Sequence, residues 1–177
     1  MANLRPGDKA IAFDLPGVDG RTYSLSSLSQ GKKATAVIFM CNHCPYVLAW
    51  LERMIAAGKD YGGKGVAFVG INANDAVKYP TDSFEKMQDL AKERGLPFPY
   101  LHDASQQVAS AYGAERTPEI FLFDGDLKLR YHGAPDDNYD ETQAAVPYLR
   151  QALDAVLAGK ESPVAETPPV GCTIKWK

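Results

Sequence analysis

The chain has 177 residues, 45% hydrophobic and 23% charged, which suits one ordinary globular domain with a sizeable core. A net charge of −3 supplies no basic field for nucleic acid or anionic membrane, and no apolar run approaches the roughly 20 residues that cross a bilayer. Three cysteines are too few for a secreted disulfide framework, and residues 1–7 lack the apolar core of a signal peptide, so a soluble cytoplasmic protein is expected.

In chain order, Ala12-Phe13-Asp14-Leu15-Pro16 and Arg21-Thr22-Tyr23-Ser24-Leu25 flank an Asp19-Gly20 turn, the pattern of a β-hairpin. Residues 26–31 read as polar linker. Residues 34–40 are apolar throughout, as in a strand covered on both faces. This run ends at Cys41-Asn42-His43-Cys44-Pro45. Beyond it, Val47, Leu48, Leu51, Met54 and Ile55 form a helical stripe that fades near Gly58. Pro45 is tolerated in the first turn, where a missing N–H costs nothing. Residues 66–71 form a second buried strand, completing a βαβ unit with parallel strands and a right-handed crossover.

Two thiols delivered to a helix start meet unpaired N–H groups and the positive end of the helix dipole, both of which favour a thiolate. At i and i+3 they can also close into a short disulfide. A Cys-x-x-Cys at a strand-to-helix junction therefore reads first as a redox pair. The competing readings are two inert buried thiols, or half of a metal site. Zinc needs two further ligands, and Cys172, His43, His102 and His132 show no paired spacing, so no metal is expected. His43, between the cysteines, reads either as an exposed helix-start residue or as an imidazole that favours the charged sulfur and raises the reduction potential.

A polar loop over residues 72–80 leads to Asp82-Ser83-Phe84-Glu85, read as an N-cap at Asp82 with an acid three positions on. The helix it opens ends at Gly95. A short extended piece follows over residues 96–101. Asp103-Ala104-Ser105-Gln106 caps another helix, which ends at Gly113. Residues 119–123 and 127–131 form a hairpin around Asp124-Gly125-Asp126. Asp136-Asp137-Asn138 lacks the rest of a calcium-loop pattern and reads as a turn. Leu149, Ala152, Leu153, Val156 and Leu157 mark a last helix, with Pro147 holding its start to no earlier than about Ala144. The division is a domain over 1–159 and a tail over 160–177; the tail is aperiodic and carries Cys172.

This order makes an α/β chain with a mixed central sheet flanked by helices and an N-terminal hairpin. Phe13-Asp14-Leu15-Pro16 with Val18-Asp19-Gly20-Arg21-Thr22-Tyr23-Ser24-Leu25, Cys41 to Cys44, and Thr117-Pro118 together resemble the thioredoxin superfamily. They are closest to its redoxin branch of peroxiredoxins and TlpA-like thiol reductases. The resemblance covers roughly residues 4 to 158, and residues 171–176 resemble the tail of a less characterised peroxiredoxin-like group. It implies a thioredoxin-like fold and a cis bond at Thr117-Pro118 facing the sulfurs. The Thr117 backbone is then free to pair with an extended peptide or a mixed-disulfide partner.

The expected activity is thiol–disulfide oxidoreduction without a cofactor. Cys41, expected to be the more exposed sulfur, attacks a protein or small-molecule disulfide; Cys44 resolves the mixed disulfide, and an external thiol reductant recycles the pair. A thiol peroxidase with an antioxidant role is the alternative. There Cys44 fills the position of the peroxide-reactive cysteine, and Cys41 stands where peroxiredoxins keep a threonine. A non-catalytic module that binds a metal or a partner is a third reading. Arg116 reads as a surface charge or a thiolate-supporting arginine, and Cys172 as a resolving cysteine or an incidental one.

Overall fold

A computed structural model describes residues 4–140 and 146–177. The first three residues of the N-terminal reading, and Ala144, lie outside this range. Strands β1 (Asp14–Pro16) and β2 (Thr22–Ser24) pair antiparallel, as the Asp-Gly turn predicts. The stretch expected as linker forms a short helix, α1 (Leu25–Ser29). Ser24 and Ser27 cap each other reciprocally there, while Leu25 is buried.

The central sheet has five strands in the order β5 (Tyr100–His102), β4 (Val66–Asn72), β3 (Ala34–Phe39), β7 (Glu119–Asp124) and β8 (Leu129–Gly133). Strand β3 (Ala34–Phe39) lies at its centre, parallel to β4 (Val66–Asn72) and antiparallel to β7 (Glu119–Asp124). Every residue of β3 is buried because both faces are covered. Its side chains alternate between two cores. Ala34, Ala36 and Ile38 pack with α2 (Pro45–Gly62) and α5 (Tyr148–Leu157), whereas Val37 and Phe39 pack with α4 (Gln107–Tyr112) and the hairpin. Helix α2 does not stop at Gly58. The missing side chain lets the helix settle on Phe98 and Pro97, where a Cβ would come within 3.1 Å of each.

Beyond β4, residues 80–82 form a short 3-10 turn and α3 (Phe84–Arg94) begins one residue later than expected. Ser83, not Asp82, caps α3 by accepting from the Lys86 N–H at 3.2 Å. Asp82 turns inward instead. Strand β5 (Tyr100–His102) pairs parallel with β4. Asp103 caps α4 from inside, accepting from Ala109 N–H at 2.8 Å and Val108 N–H at 3.4 Å. Strand β6 (Arg116–Thr117) precedes β7, and β8 (Leu129–Gly133) starts two residues later than the hairpin pattern predicts. That shift arises because Asp124 accepts from the N–H groups of Asp126 and Lys128 and holds a wider turn.

Asp136 makes a turn, its Oδ1 accepting from Asn138 N–H at 2.9 Å, and its carboxylate is taken up by Trp50 Nε1 at 2.7 Å and Arg53 at 2.6 Å. The tail carries no helical or strand periodicity, yet residues 172–173 form β9 (Cys172–Thr173), antiparallel to β6. Its path is fixed by pairing with chain already folded. Thr167 N–H donates to His132 O at 2.9 Å, Ile174 N–H to Glu115 O at 3.0 Å, and Asp75 N–H to Lys175 O at 2.8 Å. Ile174 itself is buried in the second core, which stabilises the docked tail by roughly 1.5–3 kcal/mol.

Candidate active site

Strand β3 ends at Phe39, and Met40 continues its path by donating its N–H to Ile71 O at 2.9 Å. Cys41 follows at once, and Cys44 occupies the N-cap position of α2 with Pro45 as first helical residue. Opposite them lies Thr117-Pro118, joined by a cis peptide bond as the resemblance implied. The pieces meet at one residue: Cys41 Sγ is 3.6 Å from Thr117 Oγ1, and Cys44 Sγ is 3.4 Å from the Thr117 carbonyl oxygen. Both cysteines are free thiols.

Two expectations are corrected here. Cys41 is not the more exposed sulfur, since Cys41 and Cys44 are each only 1% exposed. Nor is the Thr117 backbone open to an incoming peptide, because Cys172 of the chain's own β9 stands opposite it in the ladder. Arg116 is at the surface and donates from Nη1 to Gly171 O at 3.2 Å, so it fastens the tail.

The two inner sulfurs differ electrostatically. The Cys44 thiol is pulled down to about 4, chiefly because the Cys41 S–H donates to its sulfur, with help from Cys172 and the Val47 N–H against the cost of burial. Cys41 is held well above the ordinary thiol range by donating that proton, by burial and by the charge of Asp82. The balance between the two favours ionisation at Cys44, at the helix start, over Cys41. The ultraviolet thiolate band is expected to persist through neutral pH and disappear only as pH falls through about 4. It should be absent across that range in Cys44→Ser.

Asp82 belongs to this site although nothing in its local pattern marks it. It is fully buried, and its oxygens accept from Asn42 N–H at 2.7 Å, Asn72 Nδ2 at 3.2 Å, Asn74 Nδ2 at 3.0 Å and His43 Nδ1 at 2.7 Å. His43 thus faces Asp82 and Thr81 Oγ1, with its side chain 35% exposed. Its link to sulfur runs through Asp82, the carboxylate whose charge opposes ionisation of Cys41. His43→Ala is accordingly expected to make the Cys41–Cys44 disulfide less oxidising in a glutathione titration. An unchanged or higher potential contradicts this role.

Cys41, His43 and Asp82 also bring three metal-ligating atoms within 4.8 Å of one another. Asp82 is not among the further ligands that residue spacing offers. Its two oxygens already hold four donors, however, which leaves the carboxylate committed to its hydrogen-bond network.

The loop before Pro118 is held from below. Buried Glu119 accepts from the N–H groups of Glu115 and Arg116 at 3.0 Å each, and meets His132 Nε2 at 2.7 Å. Burial disfavours charge on His132, but Glu119 and Glu166 outweigh it and the net shift is upward.

A Cys-x-x-Cys at the junction of a central strand and a helix, facing a cis Thr-Pro across a mixed sheet, defines a thioredoxin-fold protein of the redoxin type. The AhpC/TSA family profile matches residues 6–132, and the chain belongs to this family. It is similar to a Mycobacterium tuberculosis protein provisionally named a peroxiredoxin (Rv2521), 31% identical over 118 residues, 67% of this chain and 69% of the relative. Among solved structures, an uncharacterised conserved protein from Geobacillus kaustophilus is 43% identical with a TM-score of 0.91, over 98% of this chain and 93% of that one. A hypothetical protein from Sinorhizobium meliloti 1021 is 40% identical with a TM-score of 0.93, over 99% and 97% of the two chains. No helix among the described residues is long and apolar enough to cross a membrane.

Proposed function

We propose that the protein is a thiol–disulfide oxidoreductase cycling Cys41 and Cys44 between dithiol and disulfide, with Cys44 as the attacking thiolate and Cys41 as the resolving thiol. The observation that carries this is the meeting of both sulfurs at Thr117 of the cis Thr-Pro, with Cys44 at the N-cap of α2, where the balance of neighbours favours charge on Cys44 over Cys41. It reverses the order of attack expected from the residues alone. The Cys44 thiolate attacks a substrate disulfide, forming a mixed disulfide and releasing one thiolate. Cys41 gives up its proton and attacks Cys44 Sγ; the Cys41–Cys44 bond forms and the second substrate thiolate leaves. No cofactor enters the cycle, and an external thiol reductant restores the dithiol.

The pairing of β9 with β6 favours a small disulfide as substrate over an extended protein segment. Thr117 and Pro118 act in this reading as the wall that fixes both sulfurs rather than as a peptide-binding edge.

A second reading, hydroperoxide reduction, is favoured by the same Cys44 thiolate and by the likeness to a peroxiredoxin-named relative. Cys44 thiolate takes an oxygen from ROOH to give a sulfenic acid and an alcohol, and Cys41 then condenses with it, releasing water. Parallel turnover with oxidised glutathione and with hydrogen peroxide, under a dithiol reductant, separates the two. Disulfide turnover lost in Cys44→Ser and lowered in Cys41→Ser supports the oxidoreductase. Faster peroxide turnover, lost in Cys44→Ser, supports the peroxidase. Neither activity in the wild type removes both.

A further inference from the structure

Cys172 is the third sulfur of the chain, and β9 sets it in register opposite Thr117, the residue that both inner cysteines touch. Its side chain packs against the core that holds Cys41 and Cys44, near enough to the Cys44 sulfur to favour its charged form. The approach is unusually close. A Cβ built on Gly171 would stand 2.0 Å from the Thr117 carbonyl oxygen, so only glycine lets β9 reach this position. The strand is pinned beyond the site as well, where Lys175 N–H donates to Asn74 Oδ1 at 2.9 Å and Gln106 Nε2 donates to Lys175 O at 2.9 Å. A sulfur held in this way reacts without first paying the entropy of bringing a loose tail to the site.

Accessibility separates the three cysteines. Cys41 and Cys44 are each only 1% exposed, whereas Cys172 is half-buried. Cys172 offers an external thiol more surface than either inner sulfur.

We infer that Cys172 is a third redox-active cysteine, which receives the oxidised centre from the inner pair as a Cys44–Cys172 disulfide and presents it to the external thiol reductant. The inference rests on the dithiol cycle proposed above. The Cys172 thiolate attacks Cys44 Sγ; the Cys44–Cys172 bond forms while the Cys41–Cys44 bond breaks. The electron pair leaves on Cys41, which takes up the proton lost by Cys172. The exchange is redox-neutral. A dithiol reductant then attacks Cys172 Sγ, frees Cys44 as thiolate, and releases Cys172 by closing its own disulfide, so the two electrons come from the reductant alone.

The surroundings of Cys172 make the step conditional on oxidation. In the reduced protein the Cys172 thiol is pushed up to about 11, by burial and then by the Cys44 thiolate it donates to, against Lys175 and Arg116. Oxidation of the inner pair removes the Cys44 charge and leaves the two cations, which favour the Cys172 thiolate.

The full chain is oxidised with stoichiometric diamide, acid-quenched, and its disulfides mapped by non-reducing peptide mass spectrometry. Re-reduction by dithiothreitol is followed in parallel. The expected result is a Cys44–Cys172 linkage beside Cys41–Cys44 in the wild type, and Cys44–Cys172 alone in Cys41→Ser. Re-reduction should slow on the order of tenfold in both Cys172→Ser and Gly171→Ala. Gly171→Ala displaces β9, and Cys172 with it, while keeping all three cysteines in the chain. A Cys41–Cys44 linkage without any Cys44–Cys172, or unchanged re-reduction in Cys172→Ser, overturns the relay and leaves the dithiol cycle standing. Absence of Cys41–Cys44 from both the wild type and Cys172→Ser overturns the cycle and the relay together.

Discussion

Cys44→Ser is expected to abolish turnover, by a factor on the order of 10³ or more, and to erase the thiolate absorbance at neutral pH. The reason is local. Cys44 alone combines the start of α2, the Val47 N–H and the donated proton of Cys41. Cys41→Ser has a different signature. A serine hydroxyl still donates to the Cys44 sulfur, so the thiolate survives, and once Cys172 is also replaced by serine, leaving no thiol to resolve it, reaction with a small disulfide stops at a stable mixed disulfide on Cys44. Intact-mass measurement after exposure to oxidised glutathione reads this as one added glutathione on the Cys41→Ser, Cys172→Ser double variant and none on the Cys44→Ser, Cys172→Ser double variant. Were the adduct to form instead on the second of these, the attacking sulfur would be Cys41 and the electrostatic assignment would be reversed.

Asp82→Ala is expected to be the most damaging substitution for stability. Asp82 is fully buried, and its loss leaves the Asn42 N–H and the Asn72 and Asn74 amides facing a cavity with no acceptor. Each stranded donor costs about 1–3 kcal/mol, which with partial relaxation gives a total of roughly 3–5 kcal/mol. For a chain of this size that lowers the melting temperature by on the order of 10 °C, measurable by calorimetry. Asp82→Asn separates structure from electrostatics. It keeps the size and one acceptor but removes the charge that holds the Cys41 proton in place. The Cys41–Cys44 couple should become more oxidising, the opposite direction to His43→Ala. A melting temperature unchanged in Asp82→Ala would show that this network does not support the fold.

The scaffold was readable wherever one residue pattern has one physical solution. Residues 34–40 are apolar at every position but Thr35 because β3 is covered on both faces, and Pro45 after Cys44 marks a first helical turn. The Asp-Gly hairpin and the Thr117-Pro118 junction were legible for the same kind of reason, the latter through family resemblance. Boundaries failed where side chains had a second use. Asp82 reads as a helix cap because it precedes Ser83 and a helical stripe, yet Ser83 caps and Asp82 turns to the site. No local spacing distinguishes those two fates. Gly58 reads as a stop, yet it is a point of close packing on Phe98.

The tail was the least legible part. A two-residue strand has no period, and β9 exists only because β6 offers it a partner 55 residues earlier, as Arg116 and Gly171 show by their contact. Its consequence for the site is large. Pairing of Cys172 with Thr117 fills the edge that the resemblance left to a substrate, and it buries both inner sulfurs' shared neighbour. Which sulfur more readily carries charge was likewise beyond composition and spacing, because it turns first on which of Cys41 and Cys44 donates to the other, and then on Asp82, Val47 and Cys172.

The most direct test is a redox titration of the whole protein against glutathione buffers, with acid quenching, denaturing alkylation and intact-mass counting of thiols. The predicted result is one reversible two-electron transition, in which two of the three cysteines leave and re-enter the alkylatable pool and Cys44 is always one of them. Three alkylatable thiols at every potential, in protein that remains folded, would contradict a dithiol–disulfide cycle at the start of α2.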